Sequence, residues 1–177
     1  MNVFVDRLIR AAKLDSSLYA EVEADKKTMG QAMTVVVLAS LAAGIGTMGS
    51  IGIGGILWGT ALALVGWYVW AYLTYLIGTR LLPEPQTKAD PGELLRTIGF
   101  SSSPGLIRIL AVIPGLEGIV FALAGVWMLV AMLVAVKQAL DYQGTLRAIG
   151  VCLIGWFVQA SILFVLFSIF GRPEQPS

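Results

Sequence analysis

The chain has 177 residues, of which 57% are hydrophobic and only 13% charged, with a mean hydropathy of +0.82. Soluble domains carry roughly 25% charged residues, so this composition is that of an integral membrane protein. A net charge of +1 sets up no field that would gather nucleic acid or acidic substrates, and no nucleic-acid partner is expected.

The chain has no histidine, which removes Ser-His-Asp and Cys-His pairs, histidine-ligated zinc or haem, and histidine proton relays. Its one cysteine, Cys152, lies in an apolar run and reads as a small core residue. No catalytic residues, metal site or cofactor are expected, and the chain is not read as an enzyme.

Residues 1–27 form a cytosolic or interfacial arm. Phe4, Leu8 and Ala11 or Ala12 recur at helical spacing beside Arg7, Arg10 and Lys13. An amphipathic helix on an anionic membrane surface fits, and so does one packed on the protein. Asp15 suits the N-cap of a second short helix, whose Glu21, Glu23 and Asp25 read as a solvated face. The first thirty residues carry ten charges and no continuous apolar stretch, so the first membrane helix is expected to act as its own insertion signal.

A membrane domain then covers residues 28–171. Thr28 and Gln31 have the spacing of a capping box that opens a helix over about 29–49, followed by a turn in "GTMGSIGIGG". The second helix covers about 53–79. Its Trp58, Trp67, Tyr68, Trp70, Tyr72 and Tyr75 suggest an interfacial aromatic belt. Gly44, Gly46 and Gly49 match a dinucleotide-binding pattern, but they end a membrane helix and follow no strand, so no cofactor is inferred. Gly55, Gly59 and Ala63 form a small-residue stripe suited to close helix packing, within one chain or between chains.

Residues 80–103 are polar and broken by Pro83, Pro85 and Pro91. Asp90, Pro91 and Glu93 mark the start of a short helix over 91–99. Next comes "SSSPGLIRILAVIPGLEG", residues 101–118, with two Pro-Gly pairs and a lone arginine. Two long apolar helices follow, over 119–136 and 146–170, and residues 172–177 read as a disordered tail.

Charge sets the number of crossings. With a cytoplasmic N-terminus and five spans, 11 of the 12 Lys and Arg residues fall inside, Arg108 among them at the boundary. Ser103 would then cap a short third span, Pro104 would start it and Pro114-Gly115 would end it. Arg108 would snorkel to the inner headgroups, or line a substrate or lipid path. The apolar part, 105–113, reaches only about 14 Å against a bilayer core of about 30 Å. Either helix 91–99 continues the span past the serines, or the hairpin sits in a thinned or protein-lined place. Glu117 falls in a solvated turn, and Gln159 is placed for an interhelical hydrogen bond.

The ordered pieces "LDSSLYAEVEADKKTMGQA", "WAYLTYLIGTRLL", "GELLRTIGFSSSPGLIRIL", "PGLEGIV", "VWMLVAMLVAVKQALDY" and "TLRAIG" resemble the Yip family (Ypt/Rab-interacting proteins), in particular its prokaryotic members. The resemblance covers about residues 15–170. It implies an all-α, five-helix integral membrane bundle with a cytosolic N-terminus and short interfacial helices on the cytoplasmic side. The family's eukaryotic members are linked to Rab GTPases and early secretory traffic, and this chain lacks the long acidic cytosolic region that those members carry.

The leading expectation is a non-enzymatic membrane-organising scaffold or accessory subunit, in a prokaryotic plasma membrane with its C-terminus outside. Expected partners are membrane lipids and a membrane or cytosolic protein, with homo-oligomerisation left open. Arg96, Arg108, Lys137 and Arg147 are the candidate lipid or partner contacts. The alternative is a small transporter or lipid-translocating protein, with a path near the broken third span. A polar cavity reaching Arg108 or Gln159 would favour that alternative.

Overall fold

The computed structural model describes residues 2–170. Among these, every regular element is helical: α1 (Val3–Ala12), α2 (Ser16–Ala24), α3 (Met29–Gly46), α4 (Met48–Leu76), α5 (Pro91–Phe100), α6 (Glu117–Ala139) and α7 (Thr145–Phe170). Short 3-10 and π turns, Lys26–Thr28 and Ile77–Leu81, lead into α3 and extend α4. A 3-10 segment, Ser103–Val112, follows α5 directly. Four helices among the described residues are long and apolar enough to cross a membrane: Lys26–Gly46, Gly52–Leu81, Glu117–Ala139 and Thr145–Ile162. The expected tail lies outside the described residues.

Local chemistry explains most boundaries. The Asn2 and Asp15 side chains cap α1 and α2. Asp90 and Glu93 form a reciprocal capping box at α5, with Pro91 at the first helical position where its missing N–H costs nothing. Gly52, at φ 63° and ψ 178°, supplies the backbone conformation that separates the α3–α4 turn from the long run of α4. The capping box expected at α3 does not form. Thr28 Oγ1 instead donates to the Val22 and Asp25 carbonyls, and Gln31 Oε1 accepts from Arg7 Nη1 at 2.9 Å.

Segment 91–112 corrects the sequence reading most. It lies inside the bundle against α3, α4 and α6, and it runs parallel to α3. A Cβ on Gly99 would stand 2.8 Å from Ala32 Cβ, one on Gly105 3.2 Å from Ala39 Cβ, and one on Gly46 2.6 Å from the Arg108 carbonyl oxygen and 3.0 Å from Ala111 Cβ. Along α3, the stretch from Ala32 to Gly46 covers about 21 Å at 1.5 Å per residue. The shorter stretch Gly99–Ala111 keeps pace because 3-10 winding rises about 2.0 Å per residue. Ser101 and Ser103 are buried midway along this path. The break at Ser101–Pro104 is therefore internal, and it is not a boundary at which Ser103 caps a new helix.

A break inside a bundle leaves backbone groups to be satisfied. Pro104 has no N–H to give the Phe100 carbonyl, and Ser103 Oγ donates to that carbonyl at 2.7 Å. The Ser102 N–H turns to the Gly99 carbonyl, which frees the Ile98 carbonyl, and Ser101 Oγ donates there at 2.7 Å.

The near end of the bundle, where α3 begins, carries the α1–α2 hairpin. Ala11, Leu18, Tyr19 and Val22 form a buried cluster there with Ala32, Val35, Phe100 and Ala135. A second cluster joins Trp70, Ala71, Leu94, Ile98, Val136, Leu140, Ala148, Val151 and Cys152, which places Cys152 in the core as expected.

The glycine contacts give a direct test. Gly46→Ala and Gly99→Ala each force a Cβ onto backbone atoms and are expected to cost about 1–3 kcal/mol. Gly59→Ala, where a Cβ meets nothing within 4 Å, is expected to leave stability unchanged or raise it by up to about 1 kcal/mol. Unfolding of the three variants in detergent checks this, and equal loss at all three would show that α3 and 91–112 are not in close contact.

Candidate functional site

Segment 91–112 packs on α3, α4 and α6. A cavity of about 860 Å³ lies beside it, walled by α3, α4, α6, the middle of α7 and the break itself. Ligand pockets run about 300–1,000 Å³. On α3 its wall extends from Val36 to Thr47, about 16 Å at helical rise, and on α4 from Gly55 to Trp70, about 22 Å. The space is thus elongated along the bundle.

Most of the wall is apolar: Ile56, Ile98, Phe121, Met128, Leu129, Met132, Trp67 and Trp156. Gly55, Gly59, Ala63 and Gly66 form its α4 side. Within the chain the stripe does not close on a neighbouring helix at Gly59 or Gly66, since a Cβ on either would meet nothing within 4 Å. The contact between α3 and α4 forms at Gly44 instead, where a Cβ would be 2.9 Å from Ile56. The aromatic residues of α4 divide accordingly. Trp58, Tyr68 and Tyr72 are exposed, whereas Trp70 is buried and the Trp67 indole donates to the Leu95 carbonyl at 3.0 Å.

The polar groups in the wall are few. Ser40, Thr47 and Ser101 direct their hydroxyls to carbonyls of their own helices. Among the described residues, two buried donors have no hydrogen-bond partner, Trp70 Nε1 and Arg108 Nε. Arg108 makes no ion pair among the described residues. Its guanidinium lies over the Phe121 ring, 5.5 Å from the centroid, a cation–π contact. Because the Arg108 backbone is level with Gly46, this charge sits at the far end of the bundle. It does not lie at the near boundary where snorkelling was expected. Gln159 lines the same cavity and forms no interhelical hydrogen bond among the described residues.

The other candidate contacts are at the near end and do different work. Arg96 is 3% exposed, and its Nε donates to the Val22 carbonyl at 2.9 Å while Nη2 donates to that of Glu23. It therefore caps the C-terminal end of α2, where free carbonyls and the helix dipole favour a cation, and offers nothing to a lipid or partner. Arg147 donates to the Pro83 carbonyl at 2.7 Å and pairs with Glu84 at 3.2 Å. Lys137 lines a second cavity of about 510 Å³ with Leu14, Ser16, Gln138, Asp141 and Tyr142. Glu117 is exposed in the first turn of α6, as the turn reading required.

The acidic face of α2 is not simply solvated. Glu21 pairs with Arg7 and Arg10, both at 2.7 Å, and Asp25 lies 3.5 Å from Arg7. The Ser17 hydroxyl and the Arg10 guanidinium hold Asp15 down at about 2. Glu23 faces inward and accepts from Gln138 Nε2 at 3.4 Å. Burial, with Asp141 and Glu93 nearby, pushes its carboxyl up to about 7. Sequence spacing could not separate Glu23 from its neighbours, because the partner that buries it lies on α6.

Comparison with family models, curated proteins and solved structures yields no match.

A pH dependence follows from Glu23. Between its ordinary 4.5 and about 7, the folded chain keeps a proton that the unfolded chain has released. Stability is therefore expected to fall as pH rises through that window and to level off above it. Glu23→Gln is expected to flatten the slope of melting temperature against pH. An unchanged slope would place the titration elsewhere.

Proposed function

We propose that the chain is a non-enzymatic integral membrane protein that takes a lipid into its elongated cavity, either to hold it or to pass it between leaflets. The observation that carries this reading is the 860 Å³ cavity itself, apolar along its length and reaching both Arg108 and Gln159. An apolar slot of this length suits an acyl chain better than a compact polar solute. The broken segment beside it is the kind of irregular backbone tolerated at membrane depth where it lines a cavity.

In this reading segment 91–112 is a fifth crossing, built from α5 and the 3-10 segment, and α1 and α2 lie on the cytoplasmic side. With Arg108 assigned to the far end, 10 of the 12 basic residues still fall inside, so the N-inside, C-outside orientation in a prokaryotic plasma membrane keeps its support. The resemblance to the Yip family agrees with this arrangement. A scaffold or accessory subunit is the second reading, favoured by the near-end cavity beside Lys137, which could receive a protein partner.

Lipid retained by the purified chain, counted by mass spectrometry, tests the first reading. Gly59→Leu places a side chain in the open space and is expected to lower retained lipid about tenfold, about 1.4 kcal/mol, without loss of thermal stability. Equal retention by a folded Gly59→Leu protein would overturn it. Reporter fusions at residues 2 and 177 test the orientation: both ends on one side would rule out five crossings.

A further inference from the structure

The far end of the cavity has an unmet chemical demand. Arg108 is charged at any physiological pH, and its Nε is buried without a partner. Among the described residues the cavity wall contains no Asp or Glu. The guanidinium lies over the face of Phe121, a contact that gives its N–H groups no acceptor oxygen. Trp70 Nε1, the other orphan in the wall, is also a donor only. The site therefore lacks acceptor oxygens, and negatively charged ones beside Arg108.

Position narrows the class further. Arg108 is at one end of an elongated, mostly apolar space, with Val36, Ile98 and Met132 toward the other end. A ligand that satisfies both parts has an anionic head and a long apolar tail. We infer that the cavity selects an anionic phospholipid, its phosphate held by Arg108 and one acyl chain laid along α3 and α4. This rests on the lipid-holding reading of the same cavity and adds the headgroup class and the residue that reads it. A planar guanidinium suits phosphate oxygens, and a hydrogen bond between two charged groups is stronger than one between neutral groups.

The test is competition in detergent micelles that hold equal phosphatidylglycerol and phosphatidylcholine with identical chains. Lipid retained per full-length chain is counted by mass spectrometry, and melting temperature is measured with each lipid alone. The wild-type chain is expected to retain phosphatidylglycerol over phosphatidylcholine by about tenfold. Arg108→Gln and Arg108→Met, two neutral variants of similar length, are expected to bring the ratio near one. Arg108→Lys should keep part of the preference, and Lys88→Gln, at the near end, should keep all of it.

Three outcomes overturn the inference. One is a wild-type ratio near one. Another is a preference that persists in whichever neutral variant folds, or that vanishes with Lys88→Gln. The third is equal stabilisation by inorganic phosphate alone, which would identify a free anion as the ligand. If both lipids are retained equally, only the headgroup assignment fails. If neither is retained by the wild-type chain, the lipid-holding reading fails with it.

Discussion

The architecture depends on how one interrupted segment satisfies its own backbone inside the bundle. A helix broken at Ser101–Pro104 frees the carbonyls of Ile98 and Phe100, which then need other donors. The hydroxyls of Ser101 and Ser103, each 2.7 Å away, replace the lost N–H groups. The chain can then leave α-helical winding and continue as a 3-10 segment, which gains length per residue. That added reach carries Arg108 to the level of Gly46, the far end of α3. Without the serines, the same stretch would have to remain α-helical or leave the bundle.

Glycines make both close contact and open space in this bundle. Gly46, Gly99 and Gly105 let α3 approach so closely that a Cβ at any of them would fall within 3.2 Å of a neighbour. On α4, by contrast, a Cβ at Gly59 or Gly66 would meet nothing within 4 Å, and these residues form part of the cavity wall. A glycine stripe thus has two opposite uses in this fold, as a contact on α3 and 91–112 and as clearance on α4. Which use applies is decided by the facing element.

This is also where sequence was legible and where it was not. The long apolar runs, the Asp15 and Asp90 caps, the Pro91 start and the burial of Cys152 follow from local chemistry, and the structure has them. Segment 103–112 follows α5 directly, without a boundary between them. The placing of its break failed because proline and serine favour a helix start as readily as they repair an interior one. Arg96 and Arg108 show the same limit. Each is an arginine near apolar residues in a short stretch, yet one caps α2 through carbonyls more than seventy residues away in sequence and the other has no acceptor at all. Only the fold separates them.

The near end and the far end are held differently, and this bears on how a ligand could enter. At the near end, Arg96 ties α5 to α2 and Arg7 joins α1 to Glu21 and Gln31, and midway along α6 the Trp127 indole donates to the Ala12 carbonyl at 2.7 Å. Among the described residues of α7, the buried ones are Ala148, Val151, Cys152 and Gly155. Beyond them, Trp156, Phe157 and Phe164 are exposed, as are Ile53, Leu57 and Trp58 on the matching stretch of α4. No side-chain hydrogen bond or ion pair joins α4 to α7 among the described residues there. The cavity wall is therefore tied by polar contacts where the N-terminal hairpin packs, and toward the end that holds Arg108 its polar groups are few, Thr47, Arg108 and Gln159. In the proposed lipid-holding reading an acyl chain would enter between α4 and α7 at that end, where no hydrogen bond among the described residues has to break.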